Sequence, residues 1–410
     1  MQVAKALKVR AYPNKTQETQ MLKTLGSCRF VYNHMLSRNR KIYKRRGKHL
    51  SYNEMQNLLP KMKDYLPWLK DADSQALNYA CRQLDTAYSN FFAKKDGYPR
   101  YKSKRGRQSY TTTYGASIHI DYDNRKVKIP IVGWIRCRGL RKLPNDASIK
   151  RATISKESDG RYYIAVTYLC EINIDVKTPT TLNAIGLDYK VSGLYIDSNG
   201  DNGGKPKHYA DSLELLQRRQ RQLSHMIESH ITGYKTVGNK RYPIYDRSLH
   251  DCKNIQKKRK QLSRLHKHIA NERKDFLYKR STAITKLYDV VCIEDISMRE
   301  MLVDYANPND EIEARVKEHN INRSVMDDGW YMFTQMLAYK ADWQGKTLIK
   351  VERNYPSSEI CSSCGYQKMM PLGVNTYECP HCGMSLNRDH NAAINIKNEG
   401  LRFLKAKAAA

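Results

Sequence analysis

Four cysteines near the C-terminal end of this 410-residue chain are spaced to hold one metal ion. Two residues separate Cys361 from Cys364 and Cys379 from Cys382, and fourteen lie between the pairs. Four thiolates form a soft, closed tetrahedral shell that suits structural zinc and leaves no open position for a substrate. The metal then replaces a hydrophobic core too small to form alone. A purely structural knuckle is the better reading of the cysteines themselves; what matters is what they hold. Shortly after Cys382 comes Asn387-Arg388-Asp389-His390-Asn391-Ala392-Ala393, so the clasp opens onto an acid. Two further acids close short apolar runs, Asp188 in Ala184-Ile-Gly-Leu-Asp188 and Glu294 in Asp289-Val-Val-Cys-Ile-Glu294. Any one of the three is more often a solvated surface group. As a set at the ends of buried elements they need a partner, and converging carboxylates favour a divalent cation, usually Mg2+ where phosphate is also bound. Two such ions can activate a water and stabilise the leaving oxygen of a phosphodiester. Only one of Glu294 and Asp295 can take part, because successive strand residues face opposite sides.

Charge narrows the partner. Lysine and arginine number 72 against 41 acids, a net charge of +31, which attracts polyanions and steers them at long range. The excess is uneven, with 24 basic and 7 acidic residues over Met1–Tyr110. Tyrosine outnumbers phenylalanine 29 to 6, and between residues 98 and 114 it is interleaved with basic residues. There Arg100, Lys102, Lys104, Arg105 and Arg107 can track phosphates while Tyr110 and Tyr114 stack on bases. Tyrosine also packs at any half-wet surface, so a structural role stands beside the nucleic-acid one. No apolar run approaches membrane-spanning length, and the first fifteen residues lack a signal-peptide core. Cys28, Cys81, Cys137, Cys170, Cys252 and Cys292 form no framework and read as reduced core thiols of a cytoplasmic protein.

Hydrophobic period indicates the elements that must hold these groups. Val3–Tyr12 reads as a strand turning at Pro13-Asn14, followed by helical patterning from Gln17 to about Tyr43. A shorter helix over Ser51–Leu59 is expected to stop at Pro60, with Lys61–Lys70 a connector and a third helix over Asp73–Ala93. From Tyr110 to Ile174 the period becomes two, with strands near residues 117–121, 126–130 and 162–169. These residues predict a strand-rich module, begun by the first strand and interrupted by a helical bundle. Lys177–Thr181 reads as a linker, and Ala184–Asp188 with Gly193–Asp197 as a hairpin. Helices are expected over Ser212–His230 and Asn254–Leu287, separated by a loop at Thr232–Pro243. Asp289–Glu294 has the continuous apolar character of a buried parallel strand. A helix over Asn322–Trp343, a strand over Leu348–Val351, the clasp and a final helix from Asp389 to about Leu404 complete the chain, with Lys405–Ala410 frayed.

Several stretches carry a resemblance: Tyr12-Pro-Asn-Lys-Thr-Gln17, Cys28-Arg-Phe-Val-Tyr-Asn33, Pro99-Arg-Tyr-Lys102 and Gly186-Leu-Asp188. Ile293-Glu-Asp-Ile-Ser-Met-Arg299, Asp328-Gly-Trp330, Tyr355-Pro-Ser-Ser358, the clasp and Arg388-Asp-His-Asn-Ala-Ala-Ile-Asn395 continue it. On these residues the chain resembles TnpB, the RNA-guided nuclease family of bacterial and archaeal insertion sequences, related to compact type V CRISPR effectors. The likeness spans essentially the whole chain and is most specific in its C-terminal third. It implies a multidomain α+β protein with an RNase H-like RuvC nuclease core over residues 182–354 and 388–410, including a helical hairpin at 212–287. The zinc-binding element (355–387) is inserted in that core. A β-barrel-like wedge domain (1–12 and 110–176) carries an inserted helical recognition lobe (13–109). Asp188, Glu294 and Asp389 match the family's catalytic acids, which implies a two-ion Mg2+ site; Cys361, Cys364, Cys379 and Cys382 match its zinc ligands. The implied activity is cleavage of double-stranded DNA, directed by a guide RNA from the transposon end and a short target-adjacent motif. Base pairing would carry the sequence while the protein supplies a positive channel. The resemblance further implies one protein copy per guide RNA, no membrane, and a cytoplasmic, nucleoid-associated location. One departure stands out: the family's first acid often lies in Gly-Ile-Asp-Leu-Gly, whereas here it lies in Gly186-Leu187-Asp188-Tyr189-Lys190. Lys190 is placed to alter metal affinity.

Three rivals are separable. A DDE-type transposase shares the fold and metal chemistry but usually takes a glutamate as third acid, whereas the order here is Asp, Glu, Asp. A nuclease-inactive RNA-guided DNA-binding protein would lack one of the acids, and all three are present. An IscB-type relative would carry an HNH module between Asp188 and Glu294, where this chain has basic helical sequence.

Overall fold

A computed structural model describes residues 1–174, 183–190, 193–204, 208–238, 240–297, 329–371 and 373–409. The chain divides into two units, Met1–Ile172 and Asn173–Ala410.

In the first unit, β1 (Gln2–Tyr12) pairs along most of its length with β7 (Tyr162–Glu171) and at its end with β5 (Gly133–Arg138). With β2 (Gln108–Thr112), β3 (His119–Asp121), β4 (Lys126–Ile129) and β6 (Ser148–Lys156) they form an antiparallel sheet ordered β2-β6-β7-β1-β5-β4-β3. Helices α1 (Lys15–Arg46), α2 (Tyr52–Tyr65) and α3 (Ser74–Phe92) are inserted between β1 and β2. Asn14 starts α1 with a capping box: its side chain accepts from the Gln17 N–H at 2.8 Å, and Gln17 accepts from the Asn14 N–H at 3.0 Å. Met21, Leu25 and Met35 of α1, Leu77 of α3, and Ile135 and Ile154 of the sheet share one core.

Pro60 does not end α2, contrary to the expectation from its residue type. It lies on the exposed side, so the hydrogen bond it removes is lost towards solvent, while Met55, Leu59 and Met62 keep the apolar face on the core. Residues expected as a connector continue that helix to Tyr65 and then make a 3-10 turn over Pro67–Asp71.

The second unit is built on a four-stranded sheet: β8 (Ala184–Tyr189), β9 (Tyr195–Asp197), β12 (Val290–Glu294) and β13 (Thr347–Val351), ordered β13-β12-β8-β9. Strands β8, β12 and β13 are parallel and β9 is antiparallel to β8. On one face, Ile185, Leu187, Val291 and Ile293 pack on α5 (Lys253–Leu287) and α6 (Trp330–Trp343) through Leu277, Ile284, Phe333 and Leu337. On the other, Val290, Cys292 and Val351 meet Ile396 of α7 (Arg388–Ala409). The sheet thus lies between two helical layers, and its order with β9 alone antiparallel fits an RNase H-like core.

Helix α4 (His208–Glu228) packs on α5 through Leu216, Leu265 and Ile269. The expected loop between them is a two-stranded ribbon, β10 (Ile231–Val237) and β11 (Lys240–Tyr245). Pro243 is tolerated in β11 because a ribbon with two open edges leaves room for a residue that donates no hydrogen bond. The last helix runs to Ala409 rather than fraying after Leu404, as suits a tail of Lys and Ala. The expected linker at 177–181 and the part of the Asn322–Trp343 helix before residue 329 lie outside the described residues.

Candidate active site

Parallel register brings the first two acids side by side. Leu187 of β8 is level with Ile293 of β12, so Asp188 and Glu294 follow at the C-terminal ends of adjacent strands. Because Leu187 and Ile293 face α5 and α6, the acids point the other way, with Gly186 and Cys292, under α7. The approach of α7 explains Gly186: a Cβ there would collide with the carbonyl oxygen of Ala393. Tyr189, on the opposite face, sets its ring 5.2 Å from that of Trp330.

The third acid is delivered by the clasp. Strand β15 (Ser385–Asn387), paired with β14 (Thr376–Glu378), runs straight into α7. Asn387 caps the helix by accepting from the N–H groups of Asp389 at 3.1 Å and His390 at 3.2 Å. One turn on, the buried Asn391 donates to the Ile360 carbonyl at 2.7 Å and accepts from the Ser362 N–H at 2.9 Å. Asn395, also buried, donates to the carbonyls of Ser357 at 2.8 Å and Ile360 at 2.6 Å. Two asparagines one turn apart thus bolt α7 to the segment entering the clasp. His390 places Nε2 3.3 Å from the Ser198 carbonyl, beyond β9.

The four cysteine sulfurs lie within 4.8 Å of one another, with Cys361 3.7 Å from Cys382 and Cys364 3.6 Å from Cys379. Zinc–thiolate bonds of about 2.3 Å give a tetrahedron with edges of roughly 3.8 Å, so this donor set fits zinc. Tyr377, fully buried, fills the clasp and donates to the carbonyls of Glu359 and Tyr366 at 3.1 and 3.0 Å.

The three acids act on one another. Burial, then Asp389 and Glu294, push the Asp188 carboxyl well above the usual carboxylate range, while Arg388 and Lys190 oppose the rise. Burial also raises Glu294, against Arg353. Lys190 donates to Asp389 Oδ2 at 2.8 Å, and Arg388 Nε lies 3.6 Å from Oδ1. Among the described residues only the cysteines bring ligand atoms all within 4.8 Å, so the acids share one end of the sheet face at wider spacing. Neither Arg388 as a counter-charge nor the grip of Asn391 and Asn395 was anticipated, although the four-residue spacing of those asparagines marks one helix face. Asp197, another acid near the site, is used structurally, accepting from the N–H groups of Asn199 and Asp201 at 2.9 and 3.0 Å.

In the first unit the basic–aromatic stretch divides. Arg100, Lys104, Arg105, Arg107 and Tyr114 are exposed. Lys102 and Tyr110, expected on the same surface, are not among the exposed residues. Lys102 turns inward, donating to Gln83 at 2.7 Å with its ammonium 4.1 Å from the Tyr32 ring centre, and its backbone N–H donates to Asn33 at 2.8 Å. Tyr110 is 3% exposed, inside the core, where its ring presents no face to a base.

Residues 1–48 match a family model described as "Helix-turn-helix domain", 167–304 one described as "Probable transposase", and 330–396 one described as "Cas12f1-like, TNB domain". A protein of Escherichia coli K12 named "Putative RNA-guided DNA endonuclease InsQ" is 31% identical over 98% of this chain and 93% of its own length. A Streptomyces pristinaespiralis protein named "Putative RNA-guided DNA endonuclease" is 30% identical over 98% and 90%. The "TnpB-like protein L79" of Acanthamoeba polyphaga mimivirus is 32% identical over 36% of this chain and 28% of its own length. The chain belongs to the TnpB family. The family fold extends to the protein of a structure titled "Cryo-EM structure of the Cas12f1-sgRNA-target DNA complex", with a TM-score of 0.52 and 13% identity over 97% of this chain and 99% of that one. Among the described residues no helix is long and apolar enough to cross a membrane.

Proposed function

We propose that this protein is an RNA-guided DNA endonuclease of an insertion sequence, and that Asp188, Glu294 and Asp389 form its RuvC-type centre. The observation that carries the reading is the register that sets Glu294 beside Asp188 beneath α7, where burial, then Asp389 and Glu294, raise the Asp188 carboxyl. Three carboxylates with one desolvated member are a donor set for Mg2+, which when bound would activate water and stabilise the leaving oxygen of a phosphodiester. The chain's own contribution is placement. Two acids are fixed by strand register, and the third by the Asn387 cap and the asparagine bolts to the clasp. Cys361, Cys364, Cys379 and Cys382 would hold zinc, and the clasp so closed would keep that third acid in position.

The guide RNA and target DNA would meet the excess positive charge. The strand-rich part (1–12 and 110–176) is read as the wedge domain and the helices of 13–109 as the recognition lobe. Residues 182–354 and 388–410 then form the nuclease domain, with the zinc-binding element at 355–387. Arg100, Lys104, Arg105, Arg107 and Tyr114 remain candidates for nucleic-acid contact.

The test is to purify the chain with its co-transcribed RNA and challenge it in Mg2+ with a plasmid bearing the matching target beside a randomised flank. Guide-dependent cutting that vanishes in Asp188→Ala and in Glu294→Ala, while RNA binding persists, is expected. Unchanged cleavage in either variant removes that acid from the centre.

A further inference from the structure

Where α4 passes into the ribbon and the ribbon into α5, three side chains form a relay away from the acidic centre. His230 places Nδ1 3.0 and 3.2 Å from the two carboxylate oxygens of Asp246. The Asp246 N–H donates to the His230 carbonyl at 2.9 Å, so backbone as well as side chain fixes the pair. The other ring nitrogen, Nε2, lies 3.9 Å from the sulfur of Cys252, which also approaches the Ser248 carbonyl at 3.6 Å. Cys252 is the N-cap residue of α5, and its side chain makes no capping hydrogen bond there. Outside the clasp it is the half-exposed cysteine; Cys28, Cys81, Cys137, Cys170 and Cys292 are buried.

A nucleophile in reach of a base, with that base oriented by a carboxylate, is the arrangement that activates a thiol. We propose that Cys252 is a modification site that undergoes thiol–disulfide exchange with low-molecular-weight disulfides such as glutathione disulfide. Asp246 accepts from Nδ1–H and so leaves Nε2 as the proton acceptor. The Cys252 sulfur attacks one sulfur of the disulfide; a new S–S bond forms as the old one breaks, and the thiol proton passes to His230. The departing thiolate then takes that proton, so one thiol is consumed, one is released and the imidazole is restored.

The experiment exposes the full-length, zinc-loaded chain to glutathione disulfide at neutral pH, quenches with acid, and locates adducts by peptide mass spectrometry. Cys252 is expected to be modified first, about tenfold faster than the same cysteine in an unstructured peptide spanning residues 248–256. His230→Gln should remove most of that advantage and Asp246→Asn part of it, with circular dichroism unchanged; Cys252→Ser should abolish the adduct. Exchange at Cys252 no faster than in the free peptide overturns the proposal without recourse to any variant. So does a folded His230→Gln protein that reacts at the wild-type rate.

Discussion

At Asp188 the needs of chemistry and of folding oppose each other. Burial and two neighbouring carboxylates raise its pKa, so the folded chain holds that proton more tightly than the unfolded chain does. Such a group stabilises the fold fully below its unfolded pKa, and the contribution disappears as pH rises through the higher folded value. At neutral pH Asp188 therefore works against folding until a cation joins it. Asp188→Asn, close in shape and never ionised, should remove cleavage and raise the melting temperature of Mg2+-free, zinc-retaining protein by about 2–4 °C at neutral pH. It should also flatten the decline in stability above the ordinary carboxylate range. A variant that melts at or below wild type throughout would mean that Asp188 does not sit among like charges. Sequence could nominate Asp188 because an acid closing an apolar run is unusual. It could not reveal that Lys102 and Tyr110 turn inward, because Lys102 is held by Asn33 on α1 and Tyr110 enters a core assembled from distant elements.

At the level of elements, the question is how a clasp with almost no core of its own steers a helix. The answer lies in Asn391 and Asn395, whose amides satisfy backbone groups at Ser357, Ile360 and Ser362. Asn391→Ala leaves the part-buried Ser362 N–H without its acceptor and the Ile360 carbonyl with Asn395 alone, a loss of about 1–3 kcal/mol. The four thiolates are untouched, so zinc content should stay at one per chain while cleavage falls at least tenfold. Zinc loss in this variant would show that the asparagine builds the clasp rather than linking it to α7. The period of the strands was legible from alternating apolar residues, whereas Pro60 misled. A proline signals a missing donor, but whether that ends an element depends on which side faces solvent, and burial decides that only after folding. The end of α7 misled in the other direction: nothing in its sequence forbids helix, and position at a terminus was a poor reason to expect fraying.

For the whole molecule, the net charge of +31 must be divided between residues that meet phosphate and residues that serve the fold. The basic stretch allows the division to be tested, because its members have different surroundings. Arg100, Lys104, Arg105 and Arg107 are exposed, whereas Lys102 spends its ammonium on Gln83 and the Tyr32 ring, and burial lowers its pKa. Each lysine or arginine that meets a phosphate releases counterions and adds about 0.7 to 0.9 to the slope of log affinity against log salt. Changing the four exposed residues to glutamine should therefore reduce the slope for nucleic-acid binding by up to about 3, with little effect on melting temperature. Lys102→Gln should do the reverse, lowering the melting temperature while leaving the slope within error of wild type. Measured from 50 to 300 mM salt, an unaltered slope in the fourfold variant would remove this stretch from the nucleic-acid surface. A reduced slope in Lys102→Gln would mean that its inward pose gives way when nucleic acid binds.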